Sequence, residues 1–291
     1  MGIVSTLGRL LLAAVTFPAS HAAIIVVSEP GVEAYTQAVE GVAAVLGPNT
    51  FHVVALREGD PAFSRILSAR DTQLVIAVGR RALAAVQPLR GSLPVISTMA
   101  LRGQDGEASG QVDLDVSIPL QCAALRALWP QHPRVGIIRN PARARYSAEV
   151  LESRIRKEGF LPVIVDCDSP AGLLKALAAL KGKVDFLLSF PDPDLYNPAT
   201  IKPLVLASLE SRIPIVGFSP AFVRAGAAAG IYPDYREVGR QTAEMALRLL
   251  RGDDKSTDEG PRKIQLAVNQ RIVRLLGVEF QTTALPVEVF R

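Results

Sequence analysis

Eight short apolar runs rich in β-branched residues punctuate the chain, and their order and spacing constrain its fold more than any other feature. They are AIIVVS from Ala23, FHVVA from Phe51, QLVIAV from Gln73, PVIST from Pro94, RVGII from Arg134, PVIVD from Pro162, VDFLLS from Val184 and IPIVGF from Ile213. Most are continuously hydrophobic rather than alternating, as strands covered on both faces must be. Helical patterns separate them, so the units are parallel β-α-β and the chain is α/β. The runs start at 23, 51, 73 and 94, then at 134, 162, 184 and 213, giving steps of 28, 22 and 21 in one quartet and 28, 22 and 29 in the other. The sequence therefore implies two similar α/β lobes with parallel sheets.

Between the quartets, QVDLDVSIPL alternates Val112, Leu114, Val116 and Ile118 with polar residues, the pattern of an edge or connecting strand. Pro119 then opens a helix from Leu120 to Leu128. We read this segment as the crossover from the first lobe to the second. Later, Asp234 followed by Glu237 forms a capping-box pattern, Val238, Thr242, Met245 and Leu249 share one helical face, and Gly252 is a stop. A helix is expected over about 235–251. It is surplus to a second lobe already complete, so it is expected to return and cover the first sheet, with Tyr232 and Asp234 on a hinge strand facing the gap. IQLAVN from Ile264 and the helical NQRIVRLLG supply a third connection. The expected division is lobe one at 23–115 plus about 235–262, and lobe two at 116–234 plus about 263–291.

The chain opens with Arg9, the apolar run Leu10 to Phe17, and then Pro18, Ala19, Ser20, His21 and Ala22. That is the layout of a secretory signal peptide, residues 1–22, cleaved after about Ala22. The run is far below the roughly 20 residues of a spanning helix. An exported, periplasmic protein is the expectation.

A net charge of +4, 5% aromatic residues and no basic cluster give no electrostatic reason to invoke nucleic acid. His52 and His132 lie in no metal or nucleophile spacing, and GFSPA at Gly217 lacks the second glycine of a nucleophile elbow. A phosphate loop and a GxGxxG are likewise missing. No catalytic residues, metal or cofactor are expected. Cys122 and Cys167 are the only cysteines; one disulfide is open to them in an exported chain, but two separately buried thiols is the reading favoured.

Polar residues gather at the carboxyl ends of the runs, where open α/β sheets bind ligands. They are Ser28 and Glu29, Gly79 with Arg80 and Arg81, Ser97 and Thr98, then Asn140 with Arg145, Tyr146 and Ser147, Asp192 and Asp194, and Phe218 and Ser219. Arg80 and helix N-termini suit an anion, and Asp192 or Asp194 an ammonium. Ser28, Ser97, Thr98 and Ser219 read equally well as helix caps.

AVGRRALAAV, LPVIST, VGIIRNPARARYSAEVL, FPDPDLYNPATI, RIPIVGFSPAFVRAGAAAGIYPDYREVGRQTAEMALRLLRG and LAVNQRIVRLLGVEF, in that order, resemble the ABC transporter substrate-binding proteins related to tryptophan- and tyrosine-binding components. The resemblance implies a type I periplasmic-binding-protein fold, two Rossmann-like lobes with parallel sheets joined by three hinge strands and closing on a small ligand. It implies ligand contacts from loops matched here by Ser28, Glu29, Gly79, Arg80, Thr98, Tyr146, Ser147, Asp192, Ser219 and Asp234. It also implies a monomer that serves an inner-membrane ABC permease. The alternative left open is a periplasmic ligand-sensing or partner-binding module not coupled to a transporter.

Overall fold

In the computed structural model, the described residues are 24–47, 49–56, 72–101, 108–131, 133–252, 258–278 and 287–290. Residues 1–22, for which the sequence suggests a signal peptide, lie outside them. The eight runs become strands, and the strands form two separate sheets.

In the first sheet β1 (Ile24–Ser28) pairs with β2 (Phe51–Ala55) and β3 (Leu74–Val78), followed outward by β4 (Val95–Thr98), β5 (Gly110–Val112) and β11 (Asp258–Glu259), all parallel. The order 2-1-3-4-5 is that of a doubly wound half. Every residue of β1 and β3 is buried, the physical reason for their unbroken hydrophobicity. One face is covered by α1 (Glu33–Leu46) and α8 (Tyr235–Arg251), the other by α2 (Arg80–Val86).

The second sheet runs β7 (Leu161–Asp166), β6 (Arg134–Arg139), β8 (Phe186–Leu188), β9 (Ile215–Gly217), β10 (Ala229–Pro233), β12 (Ile264–Asn269) and β13 (Val287–Phe290). Only the β10–β12 pair is antiparallel. Helices α3 (Ile118–Leu128), α4 (Ala148–Lys157) and α9 (Gln270–Leu276) close one face around Trp129, Phe160 and Phe186. Helices α5 (Leu173–Leu180), α6 (Pro198–Ser211) and α7 (Pro220–Arg224) close the other.

The chain passes between the sheets three times, after β5, after β10 and after β11. The passages are tied side by side: Asp113 N–H donates to Glu259 O at 3.0 Å, and Asp234 N–H donates to Lys263 O at 3.0 Å. Gln241 of α8, wholly buried, donates to Gly260 O at 3.1 Å and accepts from Arg262 N–H at 2.9 Å, so the third passage is pinned to a helix packed on the first sheet.

Helix α8 forms where its pattern requires. Asp234 caps it by accepting from Glu237 N–H at 3.0 Å, and Gly252 ends it in the left-handed conformation. The capping box is only half made, because the Glu237 carboxylate turns to Lys263 Nζ at 3.1 Å. The alternating segment 111–120 is corrected too. Only its first residues extend β5, and Ile118 already begins α3, because Asp113 accepts from Asp115 N–H at 3.0 Å and turns the backbone out of the sheet. Cys122 and Cys167 are both buried and unpaired with each other.

Candidate functional site

A cavity of about 320 Å³ opens where the first passage leaves the first sheet. That is the lower end of the range for small-molecule sites. Asp115, Val116, Ser117, Ile118 and Gln121 form one wall, the loop after β6 a second, and Phe190, Pro191 and Asp192 after β8 a third. Leu101, just beyond β4, and Gly260 of the third passage complete it.

Each wall is built locally. Gln121 Nε2 donates to Val116 O at 2.7 Å, holding the passage against α3. After β6, Asn140 Oδ1 accepts from Ala142 N–H at 3.0 Å and starts a tight turn. Arg139 donates to Asp166 Oδ1 at 2.6 Å and to Tyr146 O at 2.7 Å, so the loop is anchored at both ends. Asp192, nearly buried, accepts at Oδ1 from Asp194 N–H at 2.9 Å and from Leu195 N–H at 3.1 Å. Both N–H groups fall on one oxygen, and no hydrogen bond from the described residues claims the other. Tyr196 locks that loop to β6, donating to Ile138 O at 3.3 Å; burial above all raises its phenol above the usual tyrosine range.

The cavity's charge comes mostly from guanidinium groups. Arg143 pairs with Asp194. Arg145 lies over the Tyr146 ring at 5.4 Å and reaches Asp115 Oδ2 at 3.5 Å, and Arg154 lies 4.5 Å from the same ring. Among the described residues no cluster of His, Cys, Asp and Glu could hold a metal ion, and no helix is long and apolar enough to cross a membrane.

Of the residues singled out in the sequence at strand ends, Asn140, Arg145, Tyr146 and Asp192 line this cavity. Ser28, the last residue of β1 with its hydroxyl 3.4 Å from Glu29 O, and Glu29 just after it, paired with Arg81, lie on the first lobe. Gly79 has φ +90°, and a β-carbon there would stand 2.5 Å from the Tyr35 hydroxyl; the exposed Arg80 follows it. Thr98 is fully buried with its hydroxyl on Thr242 of α8 at 3.0 Å, so it serves the core. Ser147 and Ser219 cap α4 and α7, accepting from Val150 N–H and Phe222 N–H. Asp194 holds Arg143.

The expectation that Tyr232 faces the gap is corrected. Its ring is enclosed by Val223 and Ala267 and stacks on Tyr235, and its hydroxyl donates to Glu288 Oε2 at 3.1 Å. The neighbouring Asp234 is spent as the cap of α8. The reason is the antiparallel β10–β12 pair with β13 beyond it, which encloses the strand before it reaches the cleft. The first-passage residues Asp115, Ser117, Ile118 and Gln121 were missed. The available signal was topological, since a segment that crosses between lobes must border their junction.

Two α/β lobes, three neighbouring passages and a cavity at the junction define a two-lobed binding protein of the type I periplasmic-binding-protein fold. A family model described as ABC transporter substrate binding protein matches residues 114–288. The chain belongs to that family. It is 23% identical over 223 residues to a "Tyrosine-binding protein" of Clostridioides difficile (strain R20291), covering 71% of this chain and 63% of that relative's length. The fold is similar to the ligand-free, open structure of a substrate binding protein with adhesive properties from Clostridium difficile, at TM-score 0.65 and 18% identity, covering 92% of this chain and 99% of the other. It is also similar to an ABC domain from Streptococcus pneumonia in complex with L-Trp, at TM-score 0.58 and 19% identity, covering 89% and 95%.

Proposed function

We propose that this chain is the extracytoplasmic solute-binding component of an ABC uptake system. It takes a small organic ligand, amino-acid-like or another carboxylate, into the cavity between its lobes and presents it to a permease. The observation that carries this reading is the cavity's position: its walls come from the first and third passages and from strand-end loops of the second lobe. A ligand seated there touches the hinge itself, so its contacts differ between open and closed lobes and shift that equilibrium. Closure brings the loops after β1 and β3, with Glu29 and Arg80, toward the same space. The mixed lining, with Ile138, Leu151 and Phe190 beside Asn140, Arg145 and Asp192, suits a ligand with an apolar body and a charged end. The tyrosine-binding relative and the L-Trp complex support a compact zwitterion of that kind. Segment 1–22 supports export.

A thermal-shift screen of amino acids, small carboxylates and nucleosides tests the reading. A true ligand at about 100 times its Kd stabilises the fold by about 2.7 kcal/mol. Small-angle scattering of the complex should then show a smaller radius of gyration. Stabilisation by no compound, or binding without compaction, rejects the proposal.

A further inference from the structure

The charged groups of the cavity differ in how much of their hydrogen-bonding capacity the protein has already used. Arg139 is spent on Asp166 and the Tyr146 carbonyl. Arg143 donates its Nε–H to Asp194 in a close ion pair that points it at that loop, and one Asp192 oxygen is taken by two backbone N–H groups. Arg145 differs in that its one polar contact among the described residues, to Asp115 Oδ2, is long at 3.5 Å, so neither a close ion pair nor a second bond commits its five N–H donors. It is nevertheless held in place. Its guanidinium rests on the Tyr146 ring at 5.4 Å, Arg154 packs 4.5 Å from that ring, and the Tyr146 carbonyl is fastened by Arg139. A planar donor fork, positioned by stacking and unsatisfied in its ion pair, is matched to a carboxylate.

Resting on the solute-binding reading above, we propose that Arg145 is the specificity-determining residue for that site, gripping the ligand's carboxylate in exchange for its long contact with Asp115. Asp115 stands on the first passage and Arg145 on the second lobe, so the exchange takes place at the hinge. The ligand class is accordingly an organic carboxylate, with or without an amine.

The test is isothermal calorimetry of the full mature chain and of R145Q, R145K and D115N. The probes are L-tyrosine, L-tryptophan, 3-(4-hydroxyphenyl)propionate, succinate, tyramine and D-ribose. We expect binding among the carboxylates, weakened about tenfold or more in R145Q because a charge-assisted pair is lost, and only partly restored in R145K, which lacks the planar fork. D115N should bind the same carboxylate several-fold more tightly, because the competing anion is gone. A merely structural role for Arg145 would move both variants the same way. Equal carboxylate affinity in wild type and R145Q overturns the proposal and leaves the solute-binding function standing. Binding confined to tyramine or D-ribose also overturns it while sparing that function. A panel in which nothing binds the wild type takes down both.

Discussion

Gly239 of α8 lies so close to Ala38 of α1 that a β-carbon on it would stand 1.9 Å from the Ala38 carbonyl oxygen. One turn along α1, Gly41 stands in the same relation to the Arg236 carbonyl, at 2.0 Å. The two helices therefore touch backbone to backbone, and α8, which follows the last strands of the second lobe's parallel array, is fastened to the first sheet. Alanine favours an isolated helix over glycine by about 1 kcal/mol, so propensity alone predicts that Gly239→Ala stabilises. Packing predicts the opposite, a loss of about 1–3 kcal/mol, because the helices must separate. The urea midpoint should fall in G239A and in G41A; a rise in either rejects the close-contact account.

Thr98 and Thr242 present the same union through hydroxyls. The Thr242 hydroxyl is 2.8 Å from Val238 O and 3.0 Å from Thr98 Oγ1. Its single proton serves the carbonyl, and it then accepts from Thr98. T242V should cost about 1–3 kcal/mol, since it strands a buried donor on Thr98, and the double variant T98V/T242V should cost less than the two single changes together. Additive losses in chemical denaturation would show that the pair is not coupled.

Asp192 offers a test that separates charge from turn geometry. In D192N the Asn oxygen can still accept from the Asp194 and Leu195 N–H groups, so the loop and the thermal midpoint should be kept. The carboxylate charge is lost. Calorimetric affinity for L-tyrosine should drop about tenfold, and that for 3-(4-hydroxyphenyl)propionate should hold, since only the former brings an ammonium. A parallel drop for both ligands would assign Asp192 a scaffolding role only.

Alkali should destabilise the protein before its exposed groups explain it. Burial, aided by the Glu158 carboxylate and opposed by Arg126, pushes the Cys122 thiol up to about 12 from 9.0. Burial likewise pushes the Tyr235 phenol up to about 12 from 10.0, and raises Tyr232 and Tyr196 as well. The fold binds these protons more tightly than the unfolded chain does. Their contribution is complete below about pH 9 and is lost as pH rises through 9 to 12. Absorbance at 295 nm should show three of the five tyrosines ionising only together with unfolding, and iodoacetamide should leave Cys122 unmodified in the native protein at pH 8. Full tyrosine ionisation in a still folded chain would contradict this.

What the amino-acid sequence determined by itself was the set of repeating units. Unbroken apolar runs such as Ile24–Val27 and Leu74–Val78 specify strands covered on both faces, and the face formed by Val238, Thr242 and Met245 specifies α8, because these signals depend only on neighbours along the chain. Polar strand ends also pointed toward the cavity, and Asn140, Arg145, Tyr146 and Asp192 line it. Local pattern could not tell a cap from a ligand contact. Ser147, Ser219 and Asp234 are short acceptors ahead of a helix, and that residue type serves either purpose until the N–H it meets is known. Tertiary structure decided the rest: that Tyr232 is sealed beneath β13, that Thr98 answers to a helix 144 residues away, and that Asp115 and Arg145 meet at the junction. Those placements are set by how two sheets and three passages pack, an arrangement that chain neighbours do not encode.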